Sequence, residues 1–441
     1  MKLLLISPEG EFSTKEKLSL PMDYTKMFEA YHFVFDGIGT ALPLIAALTP
    51  EGYFDEIRLI DENHKTVDFE EEADLVGITA MTQQATRAYE IADRFRERGI
   101  PVVLGGHHPT VLPEEAKAHA DTVIVGEAEE VWRQYIADFA SGHPEPFYVQ
   151  KERVELTGTP VPRYDLLDMN DYRLIYVEAC RGCIRNCDFC ASARLYGPGL
   201  KAKRIEQVVE ELKTVKRLMK IPMIAFADDN MLLDRTYGKT LLRAMIPLNV
   251  RWVCSCDISI ADDEELLDLM YESGNFSVFI GFEAVDESVG MISRWKLKQL
   301  KRVSEAIEKI QSKGLGIFAS FVVGLDTHDA SVFKTIEQFM MDNHLFGFHL
   351  SIMTPFPGTP LWDRLKKEGR LLNRPWSKYN LWDVVYRPKL MIPRELQERQ
   401  VEMLYRRFFG PEAERRNKEK VRYFKEIFDR LKKEGKARPH S

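Results

Sequence analysis

Three cysteines in one short run, Cys183-Ile-Arg-Asn-Cys187-Asp-Phe-Cys190, constrain this chain more than any other feature. The spacing is C-x3-C-x2-C, with an aromatic residue just before the last cysteine. Four thiolates close a 4Fe–4S cluster, and three leave one iron open to another ligand. Two other readings use the same residues. Cys180-Arg-Gly-Cys183 and Cys187-Asp-Phe-Cys190 are also two C-x2-C pairs of the kind that clamp a structural zinc. The gap between those pairs is far tighter than zinc ribbons show. A ferredoxin-type electron-transfer site fits less well still, because the bacterial run is C-x2-C-x2-C-x3-C-P.

Length and composition bound the rest. A chain of 441 residues holds about two or three domains. Hydrophobic content of 45% and charged content of 29% are those of an ordinary soluble globular protein. A net charge of −7 argues against a nucleic-acid backbone as partner. Six cysteines, four of them between Cys180 and Cys190, do not form a secreted disulfide framework, so a reduced cytoplasm is expected. The N-terminus, Met1-Lys-Leu-Leu-Leu-Ile-Ser-Pro-Glu, does not read as a signal peptide, since its apolar run is short and Glu9 and Glu11 follow. The longest apolar stretch, Ile38 to Leu48, is cut by Pro43, and no transmembrane helix is expected.

Over residues 1–145, short apolar strands alternate with amphipathic helices. Leu3–Ile6, Glu56–Ile60, Asp74–Ile78, Val102–Leu104 and Thr122–Val125 read as buried strands. Ala85–Arg98 reads as a helix with Ala88, Ala92 and Phe95 on one face. Such alternation predicts an α/β, doubly wound parallel sheet, with ligands beyond the carboxyl ends of its strands. The residues at those tips are Thr79-Ala-Met81, Gly105-Gly106-His107-His108 and Gly126-Glu127. Four prolines between Pro144 and Pro162 mark a linker over 146–168.

A second series of strand–helix units runs from 169 to 360. Its strand tips are the cysteine loop, Phe226-Ala-Asp228-Asp229-Asn230, Trp252–Asp257, Phe279-Ile-Gly281-Phe282-Glu283, Phe321-Val-Val-Gly324 and Leu350–Thr354. Six units predict a partial barrel, with its active residues at those tips. Pro355-Phe-Pro-Gly-Thr-Pro360 ends it, and a mostly helical tail is expected over 361–441. Leu396, Val401, Leu404 and Phe408, then Val421, Phe424, Ile427 and Leu431, recur at helical spacing as packing faces. The closing lysine-rich segment reads as a solvated face or a frayed end.

On the cysteine run, the chain resembles the radical SAM enzymes, in which this spacing holds a 4Fe–4S cluster whose open iron chelates S-adenosylmethionine (SAM). The resemblance implies Cys183, Cys187 and Cys190 as cluster ligands and Phe189 beside the adenine. It implies Asp228 and Asp229 for the SAM ammonium, Glu283 for the ribose hydroxyls, and Gly324 where backbone approaches adenine. A carboxylate suits a buried ammonium, which needs charge pairing; the same aspartates can equally cap the next helix.

The tips of the first sheet resemble those of cobalamin-binding domains, through Thr79-x-Met81 and Gly105-Gly106 in that order. The D-x-H-x-x-G loop of such domains is missing, since Asp61-Glu-Asn-His64 is mis-spaced. That argues against a lower axial histidine rather than against cobalamin. The resemblance implies Thr79, Met81, Gly105, Gly106, His108, Gly126 and Glu127 as cobalamin-binding, with His108 a loop hydrogen-bonder. The alternative is that Gly-Gly only makes a tight turn in a domain without its cofactor.

The order of parts, together with Val385-Tyr-Arg-Pro-Lys389 in the tail, is similar to the cobalamin-dependent radical SAM enzymes, in the branch containing hopanoid methylases. What this implies is methylation of an unactivated carbon, with a flavodoxin or ferredoxin as electron donor and a small-molecule, lipid or protein substrate. Two rival functions stand beside it: a radical cyclisation, ring contraction or carbon–carbon coupling, and a zinc-stabilised binding protein. Cys180 reads as a buried thiol more than as a fourth ligand. Cys254 and Cys256 share one face of a strand, either toward the barrel lumen and substrate or into the core.

Overall fold

The computed structural model describes residues 1–10, 39–219, 223–409 and 411–436. Six strands form the first sheet: β1 (Lys2–Ser7), β2 (Glu56–Asp61), β3 (Leu75–Thr79), β4 (Val102–Gly105), β5 (Thr122–Val125) and β6 (Phe147–Val149). Their order is β2-β1-β3-β4-β5-β6, all parallel. Near-continuous apolar runs are what a parallel sheet covered on both faces requires, and Leu3 to Ile6 are all almost completely buried. The order reverses between β1 and β3, which opens a crevice beyond their carboxyl ends.

Two expectations shift here. Strand β6 lies inside the stretch read as linker; Pro146 precedes it, and Val123 donates its N–H to the Pro146 carbonyl at 3.0 Å, so the proline closes the sheet edge instead of starting a loose segment. The apolar run beginning at Ile38, which lies outside the described residues, becomes the helix Ala41–Leu48 with Pro43 in its first turn, where a missing N–H costs nothing.

The second sheet has six parallel strands in the order β14-β13-β12-β11-β10-β7. These are β7 (Ile175–Val177), β10 (Met223–Phe226), β11 (Arg251–Cys256), β12 (Asn275–Glu283), β13 (Gly316–Val323) and β14 (Gly347–Ile352). Between the first two, the short pair β8 (Cys180–Arg181) and β9 (Lys201–Ala202) frames the cysteine loop. Aromatic contacts identify the face that meets the helices: Phe348 stacks on Phe408 and Phe321 meets Phe339 edge-on. The opposite face carries Ser320, His349 and Ser351, and the pairing of Ser320 with His349 puts those two side by side.

Strand β14 would be an open edge. The tail covers it: Ile352 donates to the Leu381 carbonyl at 2.8 Å and Gln400 to that of Leu350 at 2.7 Å. The tail is helical at Pro360–Lys367, Pro393–Phe408 and Pro411–Lys433. Between the first two runs a strap, 368–392, with a single 3-10 turn at Trp376–Lys378, which isolated aromatic residues could not announce by periodicity. Of the expected packing faces, Leu396, Val401, Leu404, Phe424, Ile427 and Leu431 are buried, whereas Phe408 is 40% and Val421 64% exposed. Val421 is thus corrected to a surface position, because the long helix turns that side away from its neighbour. Residues 437–441 of the closing basic segment lie outside the described residues. No described helix is long and apolar enough to cross a membrane.

Candidate active site at the domain junction

Strand β7 ends at Val177, and the chain turns through Cys180–Arg181 into the loop that carries the three cysteines. Gly182 makes the turn at φ 95°, where a Cβ would sit 2.5 Å from the Gly199 carbonyl oxygen. Cys183, Cys187 and Cys190 are close enough to repel one another as thiolates, and burial raises all three thiols above their ordinary value. The Arg185 N–H points at the Cys183 sulfur, 3.3 Å away. Backbone N–H groups of Ala193 and Ser192 stabilise the Cys190 thiolate. Sulfurs held this way, with donors aimed at them, fit an iron–sulfur cluster.

Cys180 stands apart. It is 1% exposed, with its sulfur 4.0 Å from the Met231 carbonyl and its thiol against Asp228. Among the described residues no three His, Cys, Asp or Glu side chains are grouped to hold a single metal ion. Cys254 and Cys256 are buried in the apolar layer shared with Phe226 and Trp252, on the helix side of the sheet.

The adjacent aspartates after β10 do different things. Asp228, 2% exposed, accepts the backbone N–H groups of Ala179, at 3.1 Å, and of Cys180. It locks the start of the cysteine loop, and burial pushes its carboxyl up to about 7 against those bonds. Each of its two oxygens therefore accepts one backbone N–H at the start of that loop. Asp229 points the other way, accepting the Gly182 N–H at 3.2 Å and lying near Cys183 and Cys190.

Glu283 ends β12 at φ 66°, after a register shift. Left-handed backbone at a non-glycine residue marks a strained, purposeful position. Its carboxylate pairs with Lys296, whose ammonium also reaches the Gly281 carbonyl at 2.5 Å. Lys296 and the Ser293 hydroxyl both favour the thiolate of Cys187. Neither residue carried a sequence signal. Phe189 is half-buried against the core. Beside the loop, Arg185 pairs with Asp257 at 3.1 Å and lies 3.8 Å over the Trp295 ring.

Gly324 follows the end of β13. It sits at φ 93°, and a Cβ there would strike the Tyr386 hydroxyl, which donates to the Gly324 carbonyl. This glycine makes room for the Val385–Lys389 stretch of the tail, and Lys389 completes the docking on Asp326 at 2.9 Å.

Facing the cysteine loop, the crevice of the first sheet holds a cavity of about 220 Å³. Thr79, Met81, Gly105, Gly106, Gly126 and Glu127 all line it, with Gly77, Ile124 and Trp132 as its apolar wall. That volume takes a part of a large cofactor, as an apolar slot takes a planar tail. Gly106 makes the turn: a Cβ would lie 2.7 Å from the Thr79 hydroxyl. Gly105 keeps the slot open, since a Cβ there meets only the Ile124 Cβ at 3.8 Å. His108 does not line the cavity. It is fully buried, 3.4 Å from Glu115, with its ring edge on Trp376. Its neighbour His107 lines the cavity instead, held neutral by burial and lying against the Ala191 carbonyl next to Cys190.

The cavity is shared between domains, because Glu178, Arg181, Leu195 and Tyr196 of the second close it. Arg181 is the joint. Its guanidinium meets Glu127 and Glu129 of the first domain, both at 2.7 Å, and Glu178 at 2.9 Å.

The comparisons divide the chain into the same two parts. Residues 33–136 match the family described as B12 binding domain, and residues 177–340 match the radical SAM superfamily. The bacteriochlorophyllide d C-12(1)-methyltransferase of Chlorobaculum tepidum is 28% identical over 89% of this chain and 87% of its own. The hopanoid C-2 methylase of Rhodopseudomonas palustris is 27% identical over 79% and 70%. Among solved structures, the radical SAM methyltransferase TsrM of Kitasatospora setae, with cobalamin and a 4Fe-4S cluster bound, superposes with a TM-score of 0.66 at 15% identity, over 93% of this chain and 89% of that one. The cobalamin-dependent radical enzyme OxsB gives 0.68 at 14% identity, over 96% and 70%. The likeness in fold extends over both domains and the tail.

Proposed function

Since this chain belongs to the B12-binding radical SAM methyltransferase family, we propose that it methylates an unactivated carbon at the junction of its two sheets. The observation that carries this is the shared wall: Arg181 and Glu178, beside the cysteine loop, also line the cavity of the facing domain. A methyl carrier and a radical generator must face one substrate position, and a common wall achieves that proximity. When bound, the cluster supplies the electron that cleaves SAM, and cobalamin carries the methyl group.

The residues of the chain have narrower tasks. Cys183, Cys187 and Cys190 hold the cluster, and Phe189 flanks the adenine. Asp229 takes the SAM ammonium, with Asp228 behind it anchoring the loop. Glu283 takes the ribose hydroxyls and Lys296 orients it. Gly105 and Gly106 admit the cobalamin tail, and Thr79, Met81, Gly126 and Glu127 shape the slot around it. A low-potential flavodoxin or ferredoxin delivers the electron.

The test is anaerobic reconstitution with iron, sulfide and hydroxocobalamin, desalting, and incubation of candidate substrates with methyl-deuterated SAM. Four irons and about one cobalt per chain are expected. One labelled methyl per product should appear with equal 5′-deoxyadenosine and S-adenosylhomocysteine. Deoxyadenosine with a product that gains no methyl would overturn methyl transfer in favour of a radical rearrangement.

A further inference from the structure

Asp188 sits inside the cluster loop, between Cys187 and Phe189, and the tail holds it twice. Leu361 donates its N–H to the Asp188 carbonyl at 3.1 Å, and Arg364 Nη1 donates to Asp188 Oδ2 at 3.0 Å. Both donors come from the first turns of the helix Pro360–Lys367, whose start is capped by the Thr359 hydroxyl at 3.2 Å from the Trp362 N–H. The residue before that cap, Gly358, packs on Val111 of the first domain, its Cβ direction 3.1 Å from a Val111 methyl. The helix is thus wedged between the cobalamin-type domain and the cysteine loop.

Charge makes the contact more than a strut. A carboxylate one residue from a cluster ligand disfavours adding an electron there, and only 20% of the Asp188 side chain is exposed to water that would screen it. Arg364 stands against that carboxylate and cancels it. Among the described residues Asp188 Oδ1 and Arg364 Nε make no hydrogen bond, so one bond joins the two side chains where a two-bonded fork is geometrically available to such a pair.

Resting on the reading of Cys183, Cys187 and Cys190 as cluster ligands, we propose that Arg364 is a positioning residue: its pairing with Asp188 fixes the cluster loop and sets the reduction potential of the cluster. The step concerned is the uptake of one electron, from the external low-potential donor, by the oxidised 4Fe–4S centre, with no bond made or broken.

The test is an EPR-monitored potentiometric titration of the full chain, reconstituted anaerobically, with iron and sulfide counted first. Arg364→Gln leaves an uncancelled carboxylate and should lower the potential. Asp188→Asn leaves an uncancelled guanidinium and should raise it. Each shift should be at least threefold in the reduction equilibrium, about 30 mV at 59 mV per decade for one electron. The double variant Asp188→Asn with Arg364→Gln should return toward the parent value, and Arg364→Lys should restore part of it. Single variants that load four irons yet keep the parent potential, or shift it in the same direction, overturn the proposal. A parent protein that takes up no cluster overturns the underlying reading instead. Asp188→Asn, nearly isosteric, decides the sign by itself if Arg364→Gln does not load.

Discussion

Arg181 Nη1 lies 2.7 Å from Glu127 Oε1, so the residue two before Cys183 is bonded to the tip of the fifth strand of the other domain. Glu129 and Glu178 complete the ring, and all four side chains are under 10% exposed. Removing one partner of a buried ion network leaves charge without compensation, at about 3–5 kcal/mol. Arg181→Gln should lose about that much stability in anaerobic urea unfolding. It should also open the linker near Arg163 to limited proteolysis before either domain is cut.

Cysteine variants should divide cleanly. Alanine at Cys183, Cys187 or Cys190 should abolish the four-iron cluster, while Cys180→Ala, Cys254→Ala and Cys256→Ala should keep it. Iron and sulfide counts after reconstitution check this. The latter three should show only the modest stability loss of trimmed core side chains. Loss of the cluster in Cys180→Ala alone would make that thiol a ligand.

The two glycines of the cobalamin-type loop should respond differently. Gly105→Leu places a side chain into the 220 Å³ cavity where a Cβ meets nothing closer than 3.8 Å. The protein should fold and lose retained cobalamin by about tenfold or more, roughly the 1.4 kcal/mol that a factor of ten represents. Gly106→Ala, at φ 97° with a Cβ 2.7 Å from the Thr79 hydroxyl, should instead destabilise the domain itself. Thermal midpoint and cobalt content, measured on the same samples, separate the two effects.

Gly324→Ala tests what that glycine is for. Its backbone is left-handed and its Cβ would strike Tyr386. The variant should cost about 1–3 kcal/mol through that strain, and Tyr386→Phe about 1 kcal/mol through the lost bond. SAM affinity in equilibrium dialysis should stay within about twofold for Tyr386→Phe, well under the factor of ten that 1.4 kcal/mol represents. A large loss of affinity there would put Gly324 back beside adenine.

Acid sensitivity follows from buried imidazoles. Burial pushes His328 and His349 down to about 4, against about 6.5 in an unfolded chain. Between those values the unfolded state holds protons that the native state does not, so stability falls as pH drops from about 6.5 toward 4 and is flat above. Going from pH 7 to pH 5.5 should cost about 1 kcal/mol for each of these histidines. His349→Asn should flatten the pH profile of urea unfolding by about that amount, and an unchanged slope would count against a buried neutral His349.

Much of the fold was legible because strands and helices advertise themselves locally. Leu3–Ile6 or Thr122–Val125 are apolar runs bounded by turn residues, and each is a strand in the first sheet. The cysteine loop was legible for the same reason, since its three cysteines lie within eight consecutive residues. Legibility failed where neighbours in sequence diverge in space. Asp228 and Asp229 are adjacent, yet one is consumed by backbone N–H groups and the other faces the thiols. His107 and His108 are adjacent, yet the one named from the motif packs under Trp376 and the other lines the cavity. Strand parity assigned Cys254 and Cys256 to a common face, but only the pairing with Phe226 and the helices behind it showed which face that was.

Read alone, the sequence determined the two parallel sheets, the cysteine spacing and the residues at the strand tips, because each depends on periodicity or spacing within a few residues. Tertiary structure decided which side chains meet. Arg364 reaches Asp188 across 176 residues and Arg181 reaches Glu127 across 54. Such pairs leave no local pattern, since they are set by how separate elements pack against one another. The junction where both cofactors would work is made of contacts of that kind.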